Sequence, residues 1–314
     1  MIKIYKTDNG ILSEKQEFEQ DVWINLISPT TEEITAVTEY YKIDLNDAKA
    51  ALDDEESSRV QLEDGYTLIL EDIPLEEVRN DQRAYTTVPL GILLVKEAII
   101  TVCAMETVVL STFFNNKIKG FSTKKKMRFV YQILLRTTNL YQAYLRVIDK
   151  KRSEIEKRVG NQITENNDLI NLHELETNLV YFATSLSANK LVLDRLTRYE
   201  RIKQYPEDKE LLDDVIVENR QAIEMTNIYR DIIHGTRDLV STIINNRLNN
   251  VMKFLTSITL VMAIPTIISG IYGMNVSEKW MPLANEPHGF LIICIFTTLV
   301  CIVALLILKR RKML

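Results

Sequence analysis

The hydrophobic and polar positions of the 314-residue chain change pattern twice along its length. In residues 1–121, short apolar or alternating runs are separated by polar segments, which is typical of buried or half-buried strands. Two stretches between these runs show helical spacing instead. This part is therefore predicted to be an α/β domain, with strands at residues 2–5, 22–26, 67–73, 88–95 and 99–102 and helices at 32–41 and 46–52.

Cap and turn residues mark two of the predicted boundaries. Thr30 and Thr31 directly precede Glu32, and this order is a common helix start because a hydroxyl accepts a hydrogen bond from a free N–H group of the first turn. The dipeptide Asp64-Gly65 lies between two strand-like runs. We expect it to form the turn of a β-hairpin.

The second pattern, in residues 122–253, consists of apolar residues at helical spacing with few helix breakers. Gly160 and the Asn-rich residues after it interrupt the pattern and predict a reversal of the chain. Pro206, followed by two acidic residues, predicts another helix start. A stalk of three long helices is therefore expected, at about residues 127–155, 169–205 and 206–272, with a length of about 100 Å for the third.

The third pattern is a pair of 19-residue segments, 254–272 and 290–308, without any charged side chain. About 20 apolar helical residues cross the hydrocarbon core of a membrane. Two buried core helices are the alternative, but the length and the lack of charge favour two spans. Basic flanks mark the cytoplasmic side, and here they are Lys253 and residues 309–312. We expect the chain in the cell (plasma or inner) membrane, with both termini cytoplasmic and residues 254–314 as its transmembrane domain.

The composition, 46% hydrophobic and 26% charged with a net charge of −5, excludes a disordered chain. The charge is divided unevenly, since residues 1–253 carry −8 and residues 254–314 carry +3. An acidic soluble part argues against nucleic acid as a partner; it fits either the attraction of cations or solubility alone. The three cysteines form no CxxC pair and the three histidines lie far apart, so neither a zinc finger nor an enzyme is expected.

Polar and small residues recur along one side of the first span. The residues that fall on roughly one helical face, at steps of three to four, are Asn249, Met252, Leu255 or Thr256, Thr259, Met262 or Ala263, Thr266 and Gly270. Such residues face a water-filled path or a neighbouring helix, and threonine can also bond to carbonyl groups of its own helix. The spacing alone leaves these alternatives open. Two spans cannot enclose a pore, so a pore would require a symmetric oligomer with the first span repeated around its axis.

The tetrapeptide Tyr-Gly-Met-Asn at residues 272–275 ends the first of the two spans and resembles the signature of the CorA family of divalent-cation transporters. Segments 246–256 and 52–66 resemble the family as well, and the resemblance covers nearly the whole chain. It implies an α+β membrane protein with an N-terminal cytoplasmic α/β domain, long helices forming a funnel, and two C-terminal transmembrane helices. It also implies a homopentamer that transports divalent cations, with Mg²⁺ the expected ion and Co²⁺ and Ni²⁺ as further ones.

The resemblance implies a pore lined by the first span. A ring of amide oxygens at the outer mouth would hydrogen-bond the hydration shell of Mg²⁺, an ion that gives up its water reluctantly. A hydrophobic constriction near the inner face would block ions by dewetting. The implied residues are Gly273, Met274 and Asn275 at the outer mouth, Thr266 and Asn249 as polar rings, and Met252 and Leu255 as the hydrophobic gate.

The resemblance also implies a regulatory site, in which cytoplasmic Mg²⁺ bound between subunits closes the pore. Counting back from the signature places Asp214 at the regulatory aspartate of the family, and the partner acidic position falls near Glu77. Carboxylates at a subunit interface repel each other unless a cation bridges them. For Glu77 a solvated surface position is the alternative.

Two other functions stay open. The zinc-transporting ZntB branch of the family shares the signature, so a zinc transporter, possibly coupled to protons, is one alternative; a membrane-tethered scaffold or sensor that conducts nothing is the other. The outer loop departs from many members, because Met281-Pro282 is followed by Leu283 rather than by Glu. Glu278 and Glu286 are then the acidic residues available to attract cations there.

Overall fold

The computed structural model describes residues 1–79, 82–114, 118–160, 167–200, 205–277, 281–283, 286–311 and 313. The chain divides into two compact units, Met1–Arg237 and Asp238–Leu314. Three predicted features lie wholly or partly outside the described residues: the reversal after Gly160, Glu278 of the outer loop, and Lys312 of the basic tail.

In the described part of the first unit, seven strands form one mixed sheet in the order β2-β1-β3-β7-β6-β5-β4. Strands β3 and β7 pair in parallel and the other neighbours are antiparallel. The parallel pair is buried on both faces, which explains why its sequence is apolar except for Asn25 and Thr101. The strands are β1 (Ile2–Asp8), β2 (Ile11–Lys15), β3 (Val22–Ile27), β4 (Arg59–Leu62), β5 (Tyr66–Arg79), β6 (Gln82–Val95) and β7 (Ala98–Cys103).

Among the described residues, seven α-helices accompany the sheet, and the last two contain the apolar segments. They are α1 (Thr31–Tyr41), α2 (Leu45–Lys49), α3 (Val108–Ser111), α4 (Lys126–Gly160), α5 (Asp168–Leu196), α6 (Pro206–Tyr272) and α7 (Gly289–Arg310), with a 3₁₀ turn at Ala50–Leu52 after α2. Among the described residues, the helix over 206–272 is thus unbroken, with the bounds that the sequence predicts.

Two hydrophobic cores lie on opposite faces of the sheet. Trp23 and Ile69 belong to one core, and their neighbours Ile24 and Leu68 belong to the other, because successive side chains of a strand point to opposite faces. The first core is covered by residues of α3, α4, α5 and α6, and the second by residues of α1 and α2. The sheet is therefore enclosed by helices on both sides, as an α/β domain requires.

The predicted start of α1 is confirmed in detail. Thr30 Oγ1 accepts a hydrogen bond from Glu33 N at 3.2 Å, and Glu33 Oε2 accepts one from Thr30 N at 2.9 Å. This reciprocal pair is a capping box, which satisfies two backbone donors at the helix start.

Strands β5 and β6 are longer than the predicted runs at 67–73 and 88–95. Each has 14 residues, and they pair from Tyr66 opposite Val95 to Arg79 opposite Gln82. Pro74 is tolerated within β5 because the backbone groups at even-numbered positions face the β4 side, where the ladder ends at Leu70. The sequence did not predict this extension, because it contains a proline and several charged residues.

Other differences concern short or terminal elements. Strand β2 and helix α3 were not predicted, and α5 ends at Leu196 rather than near residue 205. After Leu196 the chain turns so that Tyr199 packs in the first core, with its hydroxyl 3.0 Å from Thr67 Oγ1. Burial of this aromatic ring explains the early helix end.

Candidate ion-conduction site

Helices α6 and α7 are long and apolar enough to cross a membrane, judged by length and composition. Their most apolar windows are almost fully exposed in the single chain, with 6% of residues buried in α6 and none in α7. A soluble core helix would be mostly buried, so these side chains require lipid or other protein to cover them.

The polar residues predicted to line a pore all lie on α6 or directly after it. Thr259 donates to Leu255 O at 2.8 Å, and Thr266 donates to Met262 O at 2.9 Å. Each hydroxyl hydrogen is thus bonded to a carbonyl group of the same helix, as expected if these threonines had no role in a pore. These bonds do not exclude that role, because each hydroxyl oxygen keeps lone pairs that can accept from water.

The expected gate residues are exposed in the single chain, Met252 by 53% and Leu255 by 57%. Asn249 and Thr266 are exposed as well. Asn249, Met252 and Leu255 follow at steps of three residues, and Thr266 comes eleven residues after Leu255, which is about three helical turns. All four therefore lie on one side of a continuous helix. The structure thus brings the predicted residues to one helix, while a closed ring of them requires further copies of the chain.

The signature residues form the turn that ends α6. Gly273 N donates to Ser269 O at 2.9 Å and Met274 N donates to Ile271 O at 3.3 Å. A Cβ atom on Gly273 would lie 3.2 Å from Ser269 O, so a larger residue would crowd this turn. Asn275 follows in an exposed position, and its carboxamide has no hydrogen-bond partner among the described residues. Its oxygen and its amide hydrogens are therefore available to water or to a hydrated ion.

Contacts that the sequence did not predict join this end of α6 to the described residues of the loop before α7. The Tyr272 hydroxyl donates to Pro282 O at 2.9 Å. A Cβ atom on Gly289 would lie 2.0 Å from Leu283 O, so the first residue of α7 must be glycine for this loop path. Glu286 is exposed. These contacts hold the loop beside the signature.

Two polar contacts join α6 to the C-terminal part of the same unit. The buried Ser257 hydroxyl donates to Met313 O at 3.0 Å. The Cys301 thiol of α7 lies 3.9 Å from Val261 O. Pro265 was the only sequence signal for the second contact, because a proline removes a backbone donor inside a helix.

The predicted regulatory residues belong to the first compact unit, Met1–Arg237. Glu77 on β5 forms an ion pair with Arg79 and is 35% exposed. Asp214 on α6 is exposed. Among the described residues, no group of three or more His, Cys, Asp and Glu side chains could hold a metal ion. The chain does not assemble a complete regulatory site from its own described residues.

A pair of carboxyl groups in β5 shows the effect of burial on ionisation. Glu71 is 2% exposed and lies 3.4 Å from the hydroxyl of Thr137 on α4. Burial, and then the charge of Asp72, raise the pKa of Glu71 well above its ordinary value. Burial also raises the pKa of Asp72. Both groups belong to strand β5 of the sheet.

The family model described as "CorA-like Mg2+ transporter protein" matches residues 18–310. The chain belongs to this CorA-like family. The family consists of membrane ion transporters, so the chain is a divalent-cation transporter rather than an enzyme.

Individual members of the CorA family are similar to the chain over most of its length. A cobalt/magnesium transport protein CorA from Methanocaldococcus jannaschii is 29% identical over 301 residues, covering 92% of this chain and 90% of the relative. The complete structure of the CorA magnesium transporter from the same organism superposes with a TM-score of 0.82 and 26% identity, covering 99% of this chain and 98% of that chain. The predicted architecture is therefore confirmed.

A more distant likeness concerns the ZntB branch. The cytoplasmic domain of ZntB from Vibrio parahaemolyticus matches with a TM-score of 0.52 and 12% identity, covering 79% of this chain and 96% of that domain. At this identity the likeness shows a shared fold alone.

Proposed function

We propose that the chain conducts Mg²⁺ across the membrane through a pore formed by α6 of a homopentamer. The observation that carries the proposal is the exposed Asn275 carboxamide at the end of an apolar helix, in a chain that matches the CorA family over residues 18–310. The relatives named above are a cobalt/magnesium transport protein and a magnesium transporter, which supports Mg²⁺ as the ion and Co²⁺ as a further one.

The chemistry of the outer mouth suits a hydrated cation. Mg²⁺ keeps several of its waters when it binds to proteins. Five copies of Asn275 would present neutral carboxamide oxygens that accept hydrogen bonds from this shell without stripping it. Gly273 and Met274 supply the turn that places Asn275 beyond the helix end. Selectivity would then depend on the carboxamide dipoles and on the diameter of the Asn275 ring rather than on net charge.

Deeper in the pore, Thr266 would form a second polar ring, because its hydroxyl oxygen can still accept from water after its hydrogen is bonded to Met262 O. Met252 and Leu255 expose apolar side chains on the same helix. Five such pairs would form a dry constriction that closes the path by dewetting. Asn249 would form the polar ring on its inner side.

The proposed regulation uses cytoplasmic Mg²⁺ bound between subunits, with Asp214 and Glu77 as ligands. Asp214 is exposed and so free to face another copy. Glu77 is ion-paired with Arg79, so a cation that binds Glu77 must compete with a guanidinium group. This competition would weaken the contribution of Glu77 relative to that of Asp214.

We further propose the membrane orientation and domain division expected from the sequence. Both termini would be cytoplasmic, since Lys309 and Arg310 form the last turn of α7 and Lys253 precedes the first apolar segment. Residues 1–121 would form the cytoplasmic α/β domain, 122–253 the stalk and 254–314 the transmembrane domain.

The proposal is tested by ion flux into liposomes that contain the purified full-length protein. Mg²⁺ and Zn²⁺ are compared in parallel, each with and without a pH gradient, and protein-free liposomes serve as the control. We expect Mg²⁺ flux that does not require the pH gradient. Zinc flux that depends on the gradient would instead support a ZntB-type transporter, and flux of neither ion would contradict conduction.

A further inference from the structure

Pro265 leaves one backbone carbonyl of α6 without its usual partner. In an α-helix, the carbonyl of each residue accepts from the N–H group four positions later. For Val261 that position is Pro265, which has no N–H group. The segment is apolar, and Val261 and Pro265 are partly exposed. No water is available within the hydrocarbon region to replace the missing donor. Val261 O therefore needs a partner from another element.

Helix α7 supplies a donor close to Val261 O. Cys301 Sγ lies 3.9 Å from Val261 O, within the same compact unit. Other polar side chains of α7 bond within their own helix: the hydroxyl groups of Thr297 and Thr298 donate to Ile293 O and Cys294 O, each at 2.8 Å. The Cys301 thiol instead points across to α6. A thiol is a weak donor, but the carbonyl it meets is one that its own helix leaves short of a donor.

We propose that the Cys301 thiol donates the hydrogen bond that replaces the N–H group missing at Pro265, and that it thereby fixes α6 directly beside Thr266. Cys301 is in this sense a positioning residue, since it touches the backbone of the pore helix and not the ion. The effect on conduction rests on the proposed function, whereas the hydrogen bond itself does not.

The hydrogen bond is tested by infrared spectroscopy of the S–H stretching band in the full-length protein in liposomes. The difference between wild type and Cys301→Ala isolates the Cys301 band. The difference between wild type and Cys294→Ala isolates a matched thiol on the same helix, for which the described residues offer no hydrogen-bond partner. We expect the Cys301 band at lower frequency than the Cys294 band, because hydrogen bonding weakens the S–H bond. Equal frequencies would overturn the proposal.

A double-mutant cycle tests the link to Pro265. The Pro265→Ala variant restores the N–H group, so Val261 O regains its helical donor and the Cys301 thiol loses its role. We expect the Cys301 band to move towards that of Cys294 in the Pro265→Ala background. An unchanged band in that background would also overturn the proposal, because the thiol would then bond independently of the proline.

The consequence for conduction is tested in the same liposomes with Mg²⁺. We expect Cys301→Ala to lower the initial flux about threefold, the change that corresponds to a typical interhelical hydrogen bond in a membrane. Cys301→Ser, which keeps a donor, and Cys294→Ala are expected to retain wild-type flux. Equal losses for Cys301→Ser and Cys301→Ala would show that packing alone matters and would contradict the positioning role. Absence of Mg²⁺ flux in the wild type would refute the proposed function and leave the infrared test intact.

Discussion

Glu71 shows how a single residue of the sheet makes the free energy of unfolding depend on pH. Its carboxyl group is buried between β5 and α4, with one long hydrogen bond to the hydroxyl of Thr137. Burial raises the pKa of Glu71 above the ordinary value of 4.5. The folded chain therefore holds a proton at this site in a range of pH where the unfolded chain has released it. Since the folded state then binds more protons, the free energy of unfolding falls as pH rises above 4.5 through that range.

Replacement of Glu71 by Gln should remove this dependence, because the amide is neutral at every pH and keeps nearly the same shape. We expect Glu71→Gln to have a higher unfolding temperature than wild type at pH 7 and a smaller or no difference at pH 4. Thermal unfolding of the full-length protein in detergent, followed by circular dichroism, measures this. Glu17→Gln, an exposed control, should not change the pH profile. A lower unfolding temperature for Glu71→Gln at pH 7 would show that the ionised carboxylate is stabilising.

At the scale of elements, Asn189 of α5 completes the edge of strand β5 where β4 has ended. Its carboxamide accepts from Asp72 N at 3.0 Å and donates to Asp72 O at 2.8 Å, so it imitates the backbone of a neighbouring strand. Ser58 Oγ also accepts from Asp72 N at 3.1 Å. The side chain thereby joins the helix layer to the sheet and allows β5 to continue beyond its partner.

Asn189→Ala should therefore destabilise the first unit. The carbonyl of Asp72 would keep the Tyr141 hydroxyl as a donor, at 3.0 Å, but would lose its Asn189 donor. A typical intramolecular hydrogen bond contributes about 0.5–1.5 kcal/mol to stability. We expect a lower unfolding temperature in detergent, with no change for Lys190→Ala at the exposed neighbouring position. Equal stability of the Asn189→Ala variant and the wild type would mean that Ser58 or water takes over the contact.

The elements differ in how far the sequence predicts them, for physical reasons. The start of α6 at Pro206 and the capping box at Thr30 depend on local chemistry, so they could be predicted. The far half of the β5–β6 hairpin depends on pairing between two polar segments and could not. The candidate site shows the same difference. The sequence predicts Asn275 as a site residue, but it does not predict the contact of Cys301 with Val261, because that contact forms only when α7 packs against α6.

At the scale of the whole molecule, the proposed pore is incomplete without further copies of the chain. The apolar windows of α6 and α7 are almost wholly exposed, and the predicted pore residues occupy one helix that cannot enclose a path. The uneven charge, −8 in residues 1–253 and +3 in residues 254–314, fits the proposed separation between a part that senses cations and a part that lies in the membrane. The regulatory proposal belongs to this scale, because it needs carboxylates from more than one subunit.

Asp214→Asn should make the pore less sensitive to internal Mg²⁺, because the amide removes the charge that a bridging cation would neutralise. We expect the half-inhibitory Mg²⁺ concentration to rise about fivefold or more, within the range of typical coupling between sites. Flux into liposomes preloaded with graded Mg²⁺ measures this. The matched control is Asp213→Asn, at the adjacent exposed position of α6. The same inhibition curve for Asp214→Asn and wild type would remove Asp214 from the regulatory site.

The central claim is that Asn275 forms the selective mouth of a Mg²⁺ pore, and one comparison tests it most directly. Initial Mg²⁺ flux is measured in liposomes that contain equal amounts of assembled wild type, Asn275→Ala or Val276→Ala, with assembly checked by size-exclusion chromatography. The account predicts loss of flux for Asn275→Ala alone, because only this variant removes the carboxamide that meets the hydrated ion. Normal Mg²⁺ flux through a correctly assembled Asn275→Ala variant would contradict it.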